Sequence, residues 1–429
     1  MRTLCLIFVT VLGLVHARDH FPDYSKYKTH PDVIAFTEVD ATHIYDAKAD
    51  EHTQTYRSQA MPLTNGDTIF TSPPRTLLKM PTGSVAIRSF HAEVVDDAGD
   101  SVPLSEVYNR LSRWVQNTWP RLSSRFLIRA VPCFFADHWL VFALQTPNAG
   151  ACSVGSPAGG YLTYMFGVGA ESRNTPTTYG APYGLVFKNT QEWGANIHLL
   201  RTHDVVSVKN CIECGYGPNK TCSHPSEAGR FACCMTGSIC SLKHELPNVS
   251  KNYYLQYTVT WTENLQDVVP VKIMVLDASN CNIEYNIAAG SARNPIDVTE
   301  LSWTSPYAGD IVFGIGHQHI GSENITLSLD GTPLCTSVPR YGTEAGVAGN
   351  ELGYVVEIPA CDFSKSPVKV KKGSKITLTS LYNVDPADTR GLPNVPGGEH
   401  GGVMSLWYLA VVFDVNLVND GDATLIPVA

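Results

Sequence analysis

Two histidines carry the clearest chemical signal in this chain. In Ile311-Val312-Phe313-Gly314-Ile315-Gly316-His317-Gln318-His319 the apolar and β-branched residues read as a strand, and side chains at i and i+2 of a strand leave from the same face. His317 and His319 are therefore able to present two imidazoles to one metal ion. A lone His-x-His is a common pattern, and sequence order alone does not find a third ligand.

A second cluster is built from thiols. Cys211, Cys214, Cys222, Cys233, Cys234 and Cys240 fall within thirty residues. Their Cys-x-x-Cys start admits zinc, but in an exported chain such thiols are oxidised, so disulfides are the expectation. Cys335 and Cys361 are candidate partners further along. Asp96-Asp97-Ala98-Gly99-Asp100 lacks the closing glutamate of a calcium loop and reads as a turn. The chain has no Gly-x-Ser-x-Gly elbow, no His-Glu-x-x-His and no phosphate loop, which removes the usual signatures of hydrolases, zincins and nucleotide-binding enzymes.

The N-terminus supplies an address. Arg2, an apolar run over 4–15 and Val15-His16-Ala17 before Arg18 have the anatomy of a signal peptide over residues 1–17. No later stretch is apolar for long enough to suggest a membrane-spanning helix. Sequons at Asn219, Asn248 and Asn324 suit a glycosylated, secreted protein. Of the twelve cysteines, Cys5 leaves with the leader, and the odd number remaining leaves at least one without an intramolecular partner. The formal net charge is −9, and no basic stripe is present, so nucleic acid is excluded as an expected partner. A small-molecule or peptide ligand remains open.

The elements that must position the histidines are strands. With 34 Gly, 27 Pro and 19 Tyr, the chain reads as many short strands between turns. The expected class is all-β, with two antiparallel jelly-roll-like sandwiches and disulfides. Residues 18–59 are polar and aperiodic and read as an extended arm. A first sandwich is expected over 60–204, with strands near 84–95, 131–144, 159–168, 184–188 and 193–200. The cysteine-rich segment 205–250 would link it to a second sandwich over 251–416. Strands there are expected near 253–261, 269–276, 282–287, 311–320, 325–329, 353–358, 375–381 and 403–415. Residues 417–429 form a tail.

Several motifs resemble a known family in order along the chain. They are the stretch 90–104, the Cys211 to Cys240 cluster, Val269-Pro270-Val271-Lys272-Ile273, Gly314-Ile315-Gly316-His317-Gln318-His319, Leu334-Cys335-Thr336-Ser337 and Gly349-Asn350-Glu351-Leu352-Gly353-Tyr354. Together they look like the stress up-regulated Nod-nineteen family over about residues 68 to 413. That resemblance brings no activity with it. The second half is also similar, more distantly, to the copper- and ascorbate-dependent monooxygenases of the peptidylglycine hydroxylating type. The shared order is His-x-His, a glycine-containing strand at Lys372-Gly373-Ser374-Lys375-Ile376-Thr377-Leu378, and then His400-Gly401-Gly402-Val403-Met404.

By this second resemblance His317, His319 and Met404 would hold one copper ion, and a thioether beside two imidazoles suits Cu(I). Met404 also reads as core filling in an apolar strand. His400 is a group in the second coordination sphere, a substrate-facing group or a turn histidine, and the turn reading is preferred. Those monooxygenases also hold an electron-supplying copper through a histidine pair and a third histidine. His198 falls where the third would be, but Tyr108-Asn109-Arg110-Leu111-Ser112-Arg113 offers no pair; His91, His138 and His203 are the alternatives. The expectation is a secreted single-copper protein, its oxidative chemistry fed by ascorbate or another external reductant. The alternative is a non-enzymatic binding protein with a vestigial site.

Overall fold

The computed structural model of the chain describes residues 34–70, 77–109, 111–117, 162–187, 192–205, 212–213, 231–232, 249–279, 285–305, 308–385, 387–388, 394–395 and 399–414. Within them the structure is all-β, in several antiparallel sheets. The 3-10 turn Ala170–Asn174 is the one helical element among the described residues.

The first sheet is nine-stranded and is centred on Lys251–Thr262, which lies between Glu51–Ser58 and Val85–Val95. Period-two alternation explains the central strand. Tyr253, Leu255, Tyr257, Val259 and Trp261 are buried on one face, where Tyr257 stacks on Phe90 and Phe90 stacks on Phe166 at 4.3 Å between ring centroids. On the other face polar side chains pair across strands: Thr260 with Thr53 at 3.0 Å, Thr258 with Thr55 at 2.8 Å, and Arg57 Nε donating to Gln256 at 3.0 Å. Such cross-strand pairs stabilise a sheet by tenths of a kcal/mol up to about 1 kcal/mol each.

These pairs correct one expectation. The polar segment read as a loose arm enters the sheet through Phe36–Glu38, Ile44–Asp46 and Glu51–Ser58. Its polarity suits a face laddered by Thr, Gln and Arg, while Gln54, Tyr56 and Ser58 turn inward.

The second half contains a sandwich. One layer is Lys272–Asp277, Ser405–Phe413 and Gly309–Gln318, with Cys361–Asp362 and Val368–Val370 at the edge. The other orders Ile296–Thr304, Lys375–Asn383, Ser322–Leu329 and Thr332–Ser337. Between them lie Trp303, Ile311, Ile325, Leu327, Ile376, Leu378, Trp407, Leu409 and Val411. The opposite face of the first layer is buried too. Leu406, Tyr408, Ala410, Val312 and Phe313 belong to the same core as Phe90, Phe166 and Tyr257 of the first half.

A register shift between Ile311 and Phe313 decides which way the histidines face. Before the bulge, Ile311 points into the sandwich. After it, Phe313 packs with Ile315 toward the first half, and His317 follows two residues on. A bulge inserts one residue and so inverts the facing of everything beyond it.

Cys335 and Cys361 are joined, with their Cα atoms 6.4 Å apart, inside the usual disulfide range. Expected strands near 84–95, 253–261, 311–320, 375–381 and 403–415 are present. Near 353–358 the structure keeps three residues, Val355–Glu357. Ile296–Thr304 was not foreseen, because its outer face is open and Val298 is exposed. The strand expected over 131–144, the thiols Cys211, Cys214, Cys222, Cys233, Cys234 and Cys240, and the sequons at Asn219 and Asn248 lie outside the described residues. Asn324 lies in Ser322–Leu329 and is partly exposed.

Candidate functional site

The register of the two central strands places His317 beside the strand that follows Met404. Gly309–Gln318 runs antiparallel to Ser405–Phe413, with His317 opposite Leu406 and Gln318 opposite Ser405. Beyond that pair the ladder ends, and the Tyr382 hydroxyl bonds both the His319 N–H and the Met404 carbonyl. Directly opposed residues of an antiparallel pair project from the same face, so His317 leaves from the same side as Leu406, and Met404 belongs to the same core as Leu406. His317, His319 and Met404 are all buried. The two imidazoles stand edge to face, with centroids 5.4 Å apart and planes at 88°.

Tyr382 ties the two strand ends. Its hydroxyl donates to the Met404 carbonyl at 2.5 Å and accepts from the His319 backbone N–H at 2.9 Å. Burial drives its pKa well above the ordinary tyrosine value, so the phenol stays protonated and keeps both bonds. Behind the histidines, Gln318 Nε2 donates to Ser380 Oγ at 2.8 Å and to the Asn324 carbonyl at 3.1 Å, and Ser405 Oγ donates to Ser380 at 2.7 Å. These hydrogen bonds hold the backbone from which the imidazoles hang.

The other wall comes from the first half. Glu171, in the 3-10 turn, lies 2.7 Å from His317 Nδ1 through Oε1, and both side chains are buried. His317 Nε2 is buried and has no hydrogen-bond partner. A carboxylate accepts only, so in the neutral imidazole the short contact places the proton on Nδ1 and the lone pair on Nε2. Gly169 permits the approach: a Cβ there would fall 2.6 Å from Glu171 Oε2 and 2.8 Å from His317 Cε1.

The remaining site expectations resolve differently. His400 lies in the strand Glu399–Val403, paired with Ile287 and Asn394, so the turn reading is corrected. His198 is buried in His198–Arg201, whose neighbour is Val107–Asn109. The segment where the resemblance expects a histidine pair therefore runs beside His198 and carries Tyr108 and Asn109 instead. His91 bonds the Arg173 carbonyl at 3.0 Å, His203 is exposed, and His138 lies outside the described residues. Among the described residues no three His, Cys, Asp or Glu side chains gather as a metal site. Sequence reasoning missed Glu171, Gly169 and Tyr382, none of which carries a local motif.

A sequence model described as Stress up-regulated Nod 19 matches residues 49–413. No curated protein matches the chain. Among solved structures, PNGF-II in its C2 crystal form is similar over 89% of this chain and 64% of its own length, at 10% identity and a TM-score of 0.27. The P21 form gives 88%, 62%, 9% and 0.26. A β-porphyranase of glycoside hydrolase family 86 from the human gut bacterium Bacteroides plebeius is similar over 90% of this chain and 38% of its own length, at 8% identity and 0.19. The chain thus spans less than two thirds of these proteins, and likeness at such TM-scores carries no argument about activity.

Proposed function

This chain belongs to the stress up-regulated Nod 19 family, and we propose that it is a secreted glycoprotein that binds one copper ion through His317, His319 and Met404 and supports copper-dependent oxidation. The observation that carries the reading is the buried Nε2 of His317, which has no hydrogen-bond partner while Nδ1 is engaged by a carboxylate. Buried polar atoms are nearly always satisfied, and one that is not calls for an explanation, of which a bound ion is one. The arrangement is also the usual one around metal-bound histidines, whose second nitrogen bonds a carboxylate.

The donor set fits copper. Two imidazoles with a thioether favour Cu(I) over harder cations, and the surrounding core excludes water. Copper in this set supplies a one-electron redox centre. The protein's own part is to hold the imidazoles at 88° to one another, to fix the His319 and Met404 backbones through Tyr382, and to engage His317 Nδ1 through Glu171 so that Nε2 is the nitrogen left for a ligand. Because 108–113 contain no histidine, the reading takes its electrons from an external reductant such as ascorbate. The same feature favours the second reading, a copper-binding protein without turnover.

Elemental analysis of the secreted protein after copper loading tests the proposal. About one copper per chain is expected for the wild type, and almost none for a His317→Ala, His319→Ala double variant. Equal copper in both would refute the assignment. Oxygen consumption with ascorbate then separates oxidation from binding without turnover.

A further inference from the structure

We infer that Glu171 is the positioning residue that sets the tautomer and heading of His317, and that the Gly349-Asn350-Glu351-Leu352-Gly353-Tyr354 motif exists to hold the turn that carries it. The turn Ala170–Asn174 is too short to hold itself; isolated helical turns are unfavourable in water. It is gripped from outside at nearly every residue. Arg173 spends its guanidinium on three acceptors: Nε to Glu93 at 3.0 Å, Nη1 to Glu351 at 3.0 Å and Nη2 to the Val102 carbonyl at 2.8 Å. Glu351 is fully buried, and its Oε1 also accepts the Leu104 N–H at 3.0 Å. Asn174 Nδ2 donates to the carbonyls of Gly349 and Val356, and Thr175 Oγ1 accepts the Ile358 N–H.

The chain of contacts therefore runs from the 349–358 segment through Arg173 and Asn174 to the turn, and from the turn through Glu171 to His317. Every link is buried or partly buried, and the carboxylate at its end arrives from 146 residues away in sequence. Neutral imidazole has two tautomers, and which nitrogen is free for a ligand is set by what the other one bonds. A fixed acceptor at Nδ1 selects the form with Nε2 open. Gly169 completes the device by letting Glu171 and the imidazole edge close on the same Cα.

The copper arm of the test rests on the proposed function; the tautomer arm does not. Metal-free protein with 15N-histidine, at a pH where imidazole is neutral, is compared by long-range 1H–15N NMR for wild type, Glu171→Gln and Glu171→Leu, with a His317→Asn variant to assign the signal. Wild type is expected as the Nδ1–H form. Glu171→Gln, whose amide oxygen still accepts, is expected to keep it, and Glu171→Leu, of similar size with no acceptor, to shift toward Nε2–H. Cu(I) affinity by chelator competition is expected to fall about 10–100-fold for Glu171→Leu and to be largely restored in Glu171→Gln. An Nε2–H wild type, or a Glu171→Leu variant unchanged in tautomer, would overturn the inference. Failure of the wild type to bind copper would refute the proposed function while the tautomer result still decides the role of Glu171. If Glu171→Leu does not fold, Glu171→Ala takes its place in the same comparison.

Discussion

Replacing Tyr382 with Phe removes one oxygen from the point where the histidine and methionine strands meet. The hydroxyl is fully buried and holds two backbone groups, the His319 N–H at 2.9 Å and the Met404 carbonyl at 2.5 Å. No water can take over in a packed core. An N–H left without an acceptor costs about 1–3 kcal/mol, and an under-satisfied carbonyl, with its second lone pair, costs less. The sum is about 2–4 kcal/mol of lost stability, read as a lower urea midpoint with an unchanged slope. Tyr254→Phe is the control, since its hydroxyl bonds Asp97 at 2.7 Å on the exposed side, and surface changes of this kind stay within about 0.5 kcal/mol. The Tyr382→Phe protein is also expected to bind Cu(I) more weakly, because His319 and Met404 lose their shared tether. Urea unfolding of Tyr382→Phe within about 0.5 kcal/mol of wild type would refute the bridging role.

Three further outcomes follow from the structure. Arg173→Leu strands the fully buried Glu351 carboxylate without its cation, and breaking such a pair costs about 3–5 kcal/mol; a loss below about 1 kcal/mol in urea would contradict the buried network. A Cys335→Ala, Cys361→Ala variant opens a link between residues 26 apart, for which loop-closure entropy gives about 3.5 kcal/mol; calorimetry that finds no shift in Tm would refute it. For Glu106, burial raises the carboxyl pKa, but hydrogen bonds from Lys251 and Tyr253 outweigh it and hold the net value below the ordinary one. Its contribution is therefore present above the unfolded-state pKa of about 4.3 and lost as pH falls through the lower folded value. A stability difference between wild type and Glu106→Gln that fails to narrow between neutral pH and pH about 3 would contradict that sign.

The half of the site that lies on one strand was legible from the residues alone. His317 and His319 share a face because strand side chains alternate, a rule that needs no tertiary knowledge. Met404 was reached only through resemblance; the register His317↔Leu406, Gln318↔Ser405 shows which strand follows it. Register between strands nearly ninety residues apart in sequence is not written in either strand.

Glu171 was not legible because its role is a side-chain contact across the two halves, made from a five-residue turn with no signature. The sheet built by Glu51–Ser58 was missed for a different reason. Its burial depends on Thr and Gln partners on Lys251–Thr262, so a segment polar in isolation becomes a strand only beside that neighbour. His400 shows the converse error: it was read as a turn residue, but pairing with Ile287 and Asn394 keeps the segment extended.

The central claim is that two imidazoles and one thioether of this chain hold copper, and X-ray absorption at the copper edge of Cu(I)-loaded protein tests it most directly. A spectrum with imidazole scattering and a single sulfur neighbour, the sulfur lost in Met404→Ile and the imidazole signal lost in the His317→Ala, His319→Ala variant, is the expected result. A wild-type spectrum without sulfur, or one that Met404→Ile leaves unchanged, would contradict it.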